Sequence, residues 1–208
     1  LTFQLTPDGQ PTYAVSYKNK PVVLSSALGV SLKDKTALVN HFEVTGTTTH
    51  AVNETWKPVL GEQAQIVNHY NELIVALVQK DSKVKLNLVF RAFDEGVAFR
   101  YDFPKQENLN YFIISDEKTE FNLTENNKVF WIPGDFDSNE YVYNETKFSE
   151  IDNEKLNLNN GIGVKSIPGK YTVQTPLQMK SPSGLYLNIF EAAVVNYPVM
   201  HLDANVQK

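Results

Sequence analysis

Alternation of apolar side chains with a period of two constrains this chain more than any other feature of its sequence. Residues 84–90 place Val, Leu, Leu and Phe at every second position, and residues 97–103 do the same with Val, Phe, Tyr and Phe. A period of two puts alternate side chains on opposite faces of a β-strand. Gly96 lies between the segments and can supply a hairpin turn. The two segments therefore predict an antiparallel hairpin.

Further apolar segments, separated by turns rich in Pro, Gly and Asn, predict many more strands. They cover residues 12–17, 22–25, 38–45, 65–78, 111–114, 118–123, 128–132, 171–173 and 185–195. Residues 68–78 also carry apolar side chains at helical spacing, but their β-branched content favours a strand. This pattern predicts an all-β fold, a large antiparallel sandwich. A length of 208 residues suits one such domain, spanning 1–208.

Charge and cysteine content argue against several classes of function. The formal net charge is -5, without a basic stripe, which argues against nucleic acid or an anionic membrane as a partner. The chain has no cysteine, so disulfides, thiolate metal sites and a cysteine nucleophile are excluded. No apolar run reaches the length of about 18 residues that a transmembrane helix needs.

One carboxylate stands out because it interrupts an apolar segment. Glu191 lies between Phe190 and Ala192, inside the predicted strand 185–195. An ionised carboxylate is costly to bury unless a metal, a basic partner or a bound water compensates it. The residues alone leave two interpretations open, a carboxylate that reaches solvent and one presented to a ligand. Calcium suits the second interpretation, because it binds carboxylate oxygens.

Other candidate chemistry is weaker. No G-x-S-x-G occurs, and no metal-ligand spacing connects the four histidines, His41, His50, His69 and His201. Residues 135–140 have the composition of a calcium loop but lack the central Gly and distal Glu of an EF-hand, which favours a solvated acidic loop.

Two arginines and two tryptophans also need an interpretation. Arg91 and Arg100 flank the hairpin, and both are expected to form a cross-strand ion pair on an exposed face, with Asp94, Glu95 or Asp102 as the partner. Trp56 and Trp131 have planar rings that could stack on sugars, although core packing is the commoner role of tryptophan.

Several stretches, in order along nearly the whole chain, resemble the N-terminal domain of glycoside hydrolase family 97, a family of bacterial α-glucosidases and α-galactosidases. They include Trp-Lys-Pro-Val-Leu-Gly-Glu at 56–62, Phe-Arg-Ala-Phe-Asp-Glu-Gly-Val-Ala-Phe-Arg-Tyr at 90–101, Trp-Ile-Pro at 131–133, Thr-Pro-Leu at 175–177 and Phe-Glu-Ala-Ala-Val-Val-Asn-Tyr at 190–197.

This resemblance implies a β-super-sandwich of the galactose-mutarotase type, followed by a catalytic (β/α)₈ barrel and a small C-terminal β-domain. Both catalytic carboxylates of the family belong to the barrel, so the resemblance implies that they and the C-terminal domain lie outside this chain. It also implies that Glu191 is a calcium ligand, although Phe190 stands where the family often has His.

The resulting hypothesis is a non-catalytic N-terminal domain of a calcium-dependent α-glycosidase. Its expected partners are its own catalytic barrel and an α-linked oligosaccharide substrate. The resemblance implies a bacterial periplasmic or outer-membrane-attached protein. The alternative is a free-standing carbohydrate-binding or adhesion module that uses exposed aromatic residues such as Trp56 or Trp131.

Overall fold

A computed structural model describes residues 1–156 and 166–205. The contacts within the chain group it into two compact units, Leu1–Thr124 and Glu125–Lys208. All named strand pairs in both units are antiparallel. Every helix in the described ranges is a single 3₁₀ turn, and none could cross a membrane. The all-β, antiparallel class predicted from the sequence is confirmed, and the single domain over 1–208 stays a prediction.

The first unit contains nine strands and one 3₁₀ turn, Glu107–Leu109. The strands are β1 Thr2–Leu5, β2 Pro11–Tyr17, β3 Lys20–Ala27, β4 Val30–Leu32, β5 Phe42–Trp56, β6 Ile66–Gln79, β7 Lys85–Ala92, β8 Val97–Asp102 and β9 Ile114–Glu117. They form the sheets β1-β2-β3, β4-β9 and β5-β6-β7-β8.

The core of the first unit lies on one face of β6 and β7, as their alternation predicts. Leu86, Leu88 and Phe90 of β7 are almost completely buried and pack with Val75 and Leu77 of β6. Burying each such side chain contributes about 1.5–3 kcal/mol. The predicted hairpin forms between β7 and β8, and residues 68–78 are in β6, so the strand interpretation is confirmed there.

The second unit contains the strands β10 Lys128–Trp131, β11 Asn144–Lys147, β12 Thr172–Gln174, β13 Leu177–Lys180, β14 Tyr186–Ile189 and β15 His201–Asp203. The 3₁₀ turns Phe148–Glu150 and Asn153–Lys155 follow β11. The sheet β11-β10-β13-β14 buries Val129, Trp131, Leu177 and Met179 on one face, and β12 pairs with β15.

Candidate functional site

Glu191 lies in a loop rather than inside a strand. The predicted strand 185–195 is too long, because β14 ends at Ile189 and Phe190 begins an irregular segment that contains Glu191. Glu191 is half-buried, whereas Phe190 before it and Ala192 after it are exposed. The prediction that Glu191 lies inside a strand is therefore wrong. The apolar side chains of the segment lie at the surface.

Two hydrogen bonds hold the Glu191 carboxylate. The Thr175 hydroxyl donates to Oε2 over 2.8 Å, and the Met200 backbone N–H donates to Oε1. Thr175 follows β12, and Met200 precedes β15, which pairs with β12. The Thr175 Oγ1 also lies 2.9 Å from the Met200 carbonyl oxygen. Glu191 thus connects the start of its loop to the end of the same loop at Met200 and to Thr175, the residue after β12.

The charge of this carboxylate is not neutralised by a neighbouring cation of the described chain. Within residues 1–156 and 166–205, no Lys, Arg or His forms an ion pair with Glu191. Both hydrogen-bond donors are neutral groups. A carboxylate has about four lone-pair sites, so two donors leave it able to accept further bonds or to coordinate a cation.

The donor set fits calcium as one ligand of a larger shell. Calcium takes about 6–8 oxygen ligands, and Glu191 offers a partly accessible carboxylate. In the part of the chain that the structure describes, no group of three or more His, Cys, Asp or Glu side chains could hold a metal. The remaining oxygens of a calcium shell would have to come from outside these residues.

An exposed apolar strip surrounds Glu191 along the chain. The strip consists of Phe190, Val194, Val195, Tyr197 and Val199, and each of these side chains is at least 41% exposed. Large exposed apolar side chains grouped in one segment are typical of a surface that another domain covers. The strip and the carboxylate belong to the same loop, residues 190–200.

A second acidic residue is buried where the sequence predicts a solvated loop. Asp135 is 3% exposed and accepts hydrogen bonds from the Tyr141 hydroxyl and from the backbone N–H groups of Asp137 and Ser166. Burial by itself raises the pKa of Asp135, but the bonds from Tyr141 and the backbone outweigh it and lower the pKa below the ordinary 3.8. Burial and the bond to Asp135 raise the pKa of Tyr141 to about 12. These contacts make Asp135 a structural anchor of its loop.

The two tryptophans differ in burial. Trp131 is 1% exposed, and its indole N–H donates to the Thr146 hydroxyl over 3.0 Å, so core packing is confirmed for it. Trp56 is 50% exposed. Arg91 pairs with Glu72 over 2.8 Å. A cross-strand ion pair is therefore confirmed for Arg91, but the expected partner is wrong, because Glu72 rather than a hairpin acid lies directly opposite it in the β6–β7 register.

Thr175 and Met200 are functional candidates that the sequence did not single out for a role. Neither belongs to a residue type that signals a metal site, and they lie 16 and 9 positions from Glu191. Their role follows from the β12–β15 pairing, which is long-range and has no local sequence signature. The Thr-Pro pair at 175–176 within the family-like stretch is the signal that draws attention to Thr175.

Comparisons with known proteins agree with the resemblance. The family model described as "Glycosyl-hydrolase 97 N-terminal" matches residues 1–208. A retaining alpha-galactosidase of Bacteroides thetaiotaomicron is 22% identical over 206 residues, covering 93% of this chain and 27% of the relative. The chain therefore spans little more than a quarter of that relative's length.

Solved structures show the same family and the same fold. A glycoside hydrolase family 97 enzyme from Pseudoalteromonas sp. strain K8, in complex with acarbose, is 30% identical and superposes with a TM-score of 0.79 over 97% of this chain and 30% of that chain. A variant of this enzyme in complex with panose gives a TM-score of 0.78 at the same identity and coverage. This chain belongs to the N-terminal domain family of the family 97 glycoside hydrolases.

Proposed function

We propose that this chain is the non-catalytic N-terminal domain of a calcium-dependent α-glycosidase, an α-glucosidase or α-galactosidase. In this role it packs on the catalytic barrel of its own protein and contributes Glu191 to a calcium ion near the active site. The single observation that carries the proposal is a carboxylate without a cationic partner in the described residues, held by neutral donors and flanked by an exposed apolar strip.

The apolar strip supports the packing part of the proposal. An isolated domain exposes Phe190, Val195 and Val199 of this loop to water. This exposure costs about 25 cal/mol of free energy per Å² of apolar surface. Docking of a following domain on this loop removes the penalty. It also brings foreign oxygen donors close to Glu191, as a shared calcium shell requires.

The names of the relatives support the catalytic part. The curated relative is a retaining alpha-galactosidase, and the solved relative is a family 97 enzyme seen with acarbose and panose. The chain covers only 27–30% of these proteins. An α-linked oligosaccharide substrate would therefore be hydrolysed by residues outside this chain. We place the whole protein in the bacterial periplasm or at the outer membrane, which cell fractionation would test.

A bound calcium would polarise and orient groups near the substrate. This chain's own part is to hold one oxygen ligand at a fixed position. The Thr175 hydroxyl and the Met200 N–H each occupy one lone pair of the Glu191 carboxylate. These two bonds restrict rotation of the side chain, so the remaining lone pairs point in a fixed direction.

The test compares Glu191→Ala with Glu145→Ala in the full-length protein. Glu145 is exposed and pairs only with Lys128 among the described ion pairs, so its removal controls for the loss of one surface carboxylate. We expect Glu191→Ala to weaken calcium affinity, measured by isothermal titration calorimetry, and to lower hydrolysis of an aryl α-glycoside in parallel. Unchanged affinity and unchanged activity in Glu191→Ala would remove the metal role.

A further inference from the structure

The longest hairpin of the first unit extends beyond the sheet that supports it. The pairing of β6 with β7 ends at Asn71, which lies opposite Ala92. Beyond that point, residues 52–56 of β5 pair with residues 66–70 of β6 and with no other strand of the described chain. We call these two segments and the connection 57–65 the ribbon. A two-stranded hairpin without further support is marginally stable in water.

The base of the ribbon is anchored, but its tip is not. At the base, Tyr70 is buried under the Arg91 guanidinium, 4.5 Å from the ring centre, and against Phe93 at 5.1 Å between ring centres. At the tip, which is the connection 57–65, Val59 is 98% exposed and Leu60 is 89% exposed. Within the described ranges, no backbone hydrogen bond joins residues 57–65 to another residue. The tip therefore leaves both apolar side chains and backbone amides in water.

Apolar side chains lie on both faces of the ribbon as well as at its end. Trp56 is opposite Ile66 on one face, and Val67 is opposite Thr55 on the other face. Trp56 and Val67 are each at least half exposed. A flat partner could cover only one of these faces, so the shape fits an apolar socket that receives the end of the ribbon.

We propose that the ribbon tip inserts into an apolar socket on a part of the parent protein outside this chain. This inference rests on the proposed function, because it requires the parent to contain further domains. The matched relatives are more than three times as long as the segment that this chain covers, so a parent of similar length would have ample polypeptide to form the socket.

A second copy of the chain fits the tip less well. A stable interface between separate proteins buries roughly 800 Å² per partner. The end of the ribbon offers only four large exposed apolar side chains for such an interface, Trp56, Val59, Leu60 and Val67. A covalently linked partner needs less area, because its effective concentration is of millimolar order. A lipid surface also fits less well, since Lys57 and Glu62 cancel in charge at the tip, whereas peripheral anchors favour basic clusters.

The experiment measures amide hydrogen exchange of residues 57–65 by mass spectrometry in the full-length protein. In wild type we expect these amides to exchange about tenfold more slowly than in the double variant Val59→Asp/Leu60→Asp. The matched control is Thr47→Asp/Thr49→Asp, which adds two carboxylates to exposed positions of β5 outside the ribbon. The control should leave exchange at the tip unchanged.

Three outcomes would overturn the proposal. Exchange of 57–65 in wild type at the rate of an unstructured peptide would show that nothing covers the tip. Protection that disappears on dilution, with dissociation of a dimer in sedimentation velocity, would assign the contact to a second copy. Binding to phosphatidylcholine vesicles that is lost in Val59→Asp/Leu60→Asp would assign it to lipid. The Glu191 titrations test the proposed function separately, so either idea can fail alone.

Discussion

The Thr175 hydroxyl and the Glu191 carboxylate are joined by a hydrogen bond of 2.8 Å, although 16 positions separate the two residues in sequence. Thr175 is 8% exposed, so this bond is shielded from water on the side of the threonine. Together with the Met200 N–H, it fixes the orientation of a carboxylate that lies in an irregular loop. A loop carboxylate held in this way can act as a preformed ligand.

Replacement of Thr175 tests whether this bond matters for metal binding. Thr175→Val keeps the shape but removes the donor, so calcium affinity of the full-length protein should fall about 10-fold, as is common when a ligand loses its supporting hydrogen bond. Thr175→Ser keeps the hydroxyl and should restore most of the affinity. In metal-free protein, exchange of the Met200 amide should be faster in Thr175→Val.

An intact calcium affinity in Thr175→Val, with Glu191→Ala strongly impaired, would show that Glu191 binds without help from the threonine. Equal exchange of the Met200 amide in wild type and Thr175→Val would show that the threonine does not hold the loop.

The sequence predicted the β7–β8 hairpin and β6 correctly. One face of each of these strands packs on the core, so apolar side chains recur at every second position. The same logic failed for residues 190–195. Apolar residues there are exposed at the surface, and sequence does not distinguish a core segment from an interface segment. It failed also for residues 46–56 of β5, an exposed stretch in which apolar and polar side chains do not alternate.

Glu191 was identifiable from its apolar neighbours in sequence, although those neighbours lie at the surface and not in a strand of the core. Its partners Thr175 and Met200 depend on the pairing of β12 with β15, which joins distant parts of the chain. Asp135 likewise accepts a hydrogen bond from the backbone N–H of Ser166, 31 positions away. Contacts of this range have no periodic signal, so residues 135–140 looked like a solvated loop.

Asp135 should contribute stability that depends on pH. Its pKa is below 3.8 in the folded protein, so the unfolded chain binds the proton more readily. The contribution of the ionised carboxylate is therefore complete well above pH 3.8 and is lost as the pH falls through the lower, folded value.

At pH 7, Asp135→Asn should lower the free energy of unfolding by about 1–3 kcal/mol, because the amide cannot accept all of the carboxylate's bonds. The exposed Asp203→Asn is the control, and urea unfolding at pH 7 and near pH 3 is the measurement. The difference between wild type and Asp135→Asn should narrow in acid. A constant difference across this range would contradict a role for the ionised form.

Two glycines in the first unit give a matched test of the backbone. Gly9 has φ +77°, and a Cβ there would lie 2.6 Å from the Phe42 carbonyl oxygen. Gly9→Ala should therefore cost at least about 1–3 kcal/mol through strain. A Cβ on Gly46 would meet no atom within 4 Å, so Gly46→Ala should be neutral or stabilising by up to about 1 kcal/mol. Thermal unfolding of both variants measures the change in stability. An equal loss of stability in Gly9→Ala and Gly46→Ala would contradict the close approach of Gly9 to Phe42.

The 208-residue chain alone should not hydrolyse glycosides, because the proposal places both catalytic carboxylates outside it. An assay with aryl α-glucosides and aryl α-galactosides should give no turnover above the uncatalysed rate, whereas the full-length protein should be active. Turnover by the purified chain would show that the chain contains its own catalytic groups.

The central claim is that Glu191 supplies an oxygen to calcium together with ligands from another part of the same protein. Crystals of the full-length protein grown with calcium, and with terbium as a strong anomalous scatterer in its place, locate the ion directly. We predict an anomalous peak about 2.3–2.6 Å from a Glu191 carboxylate oxygen, with further ligands from residues outside this chain. An ion coordinated without Glu191, or a Glu191 carboxylate that contacts only Thr175 and Met200 at saturating calcium, would contradict the account.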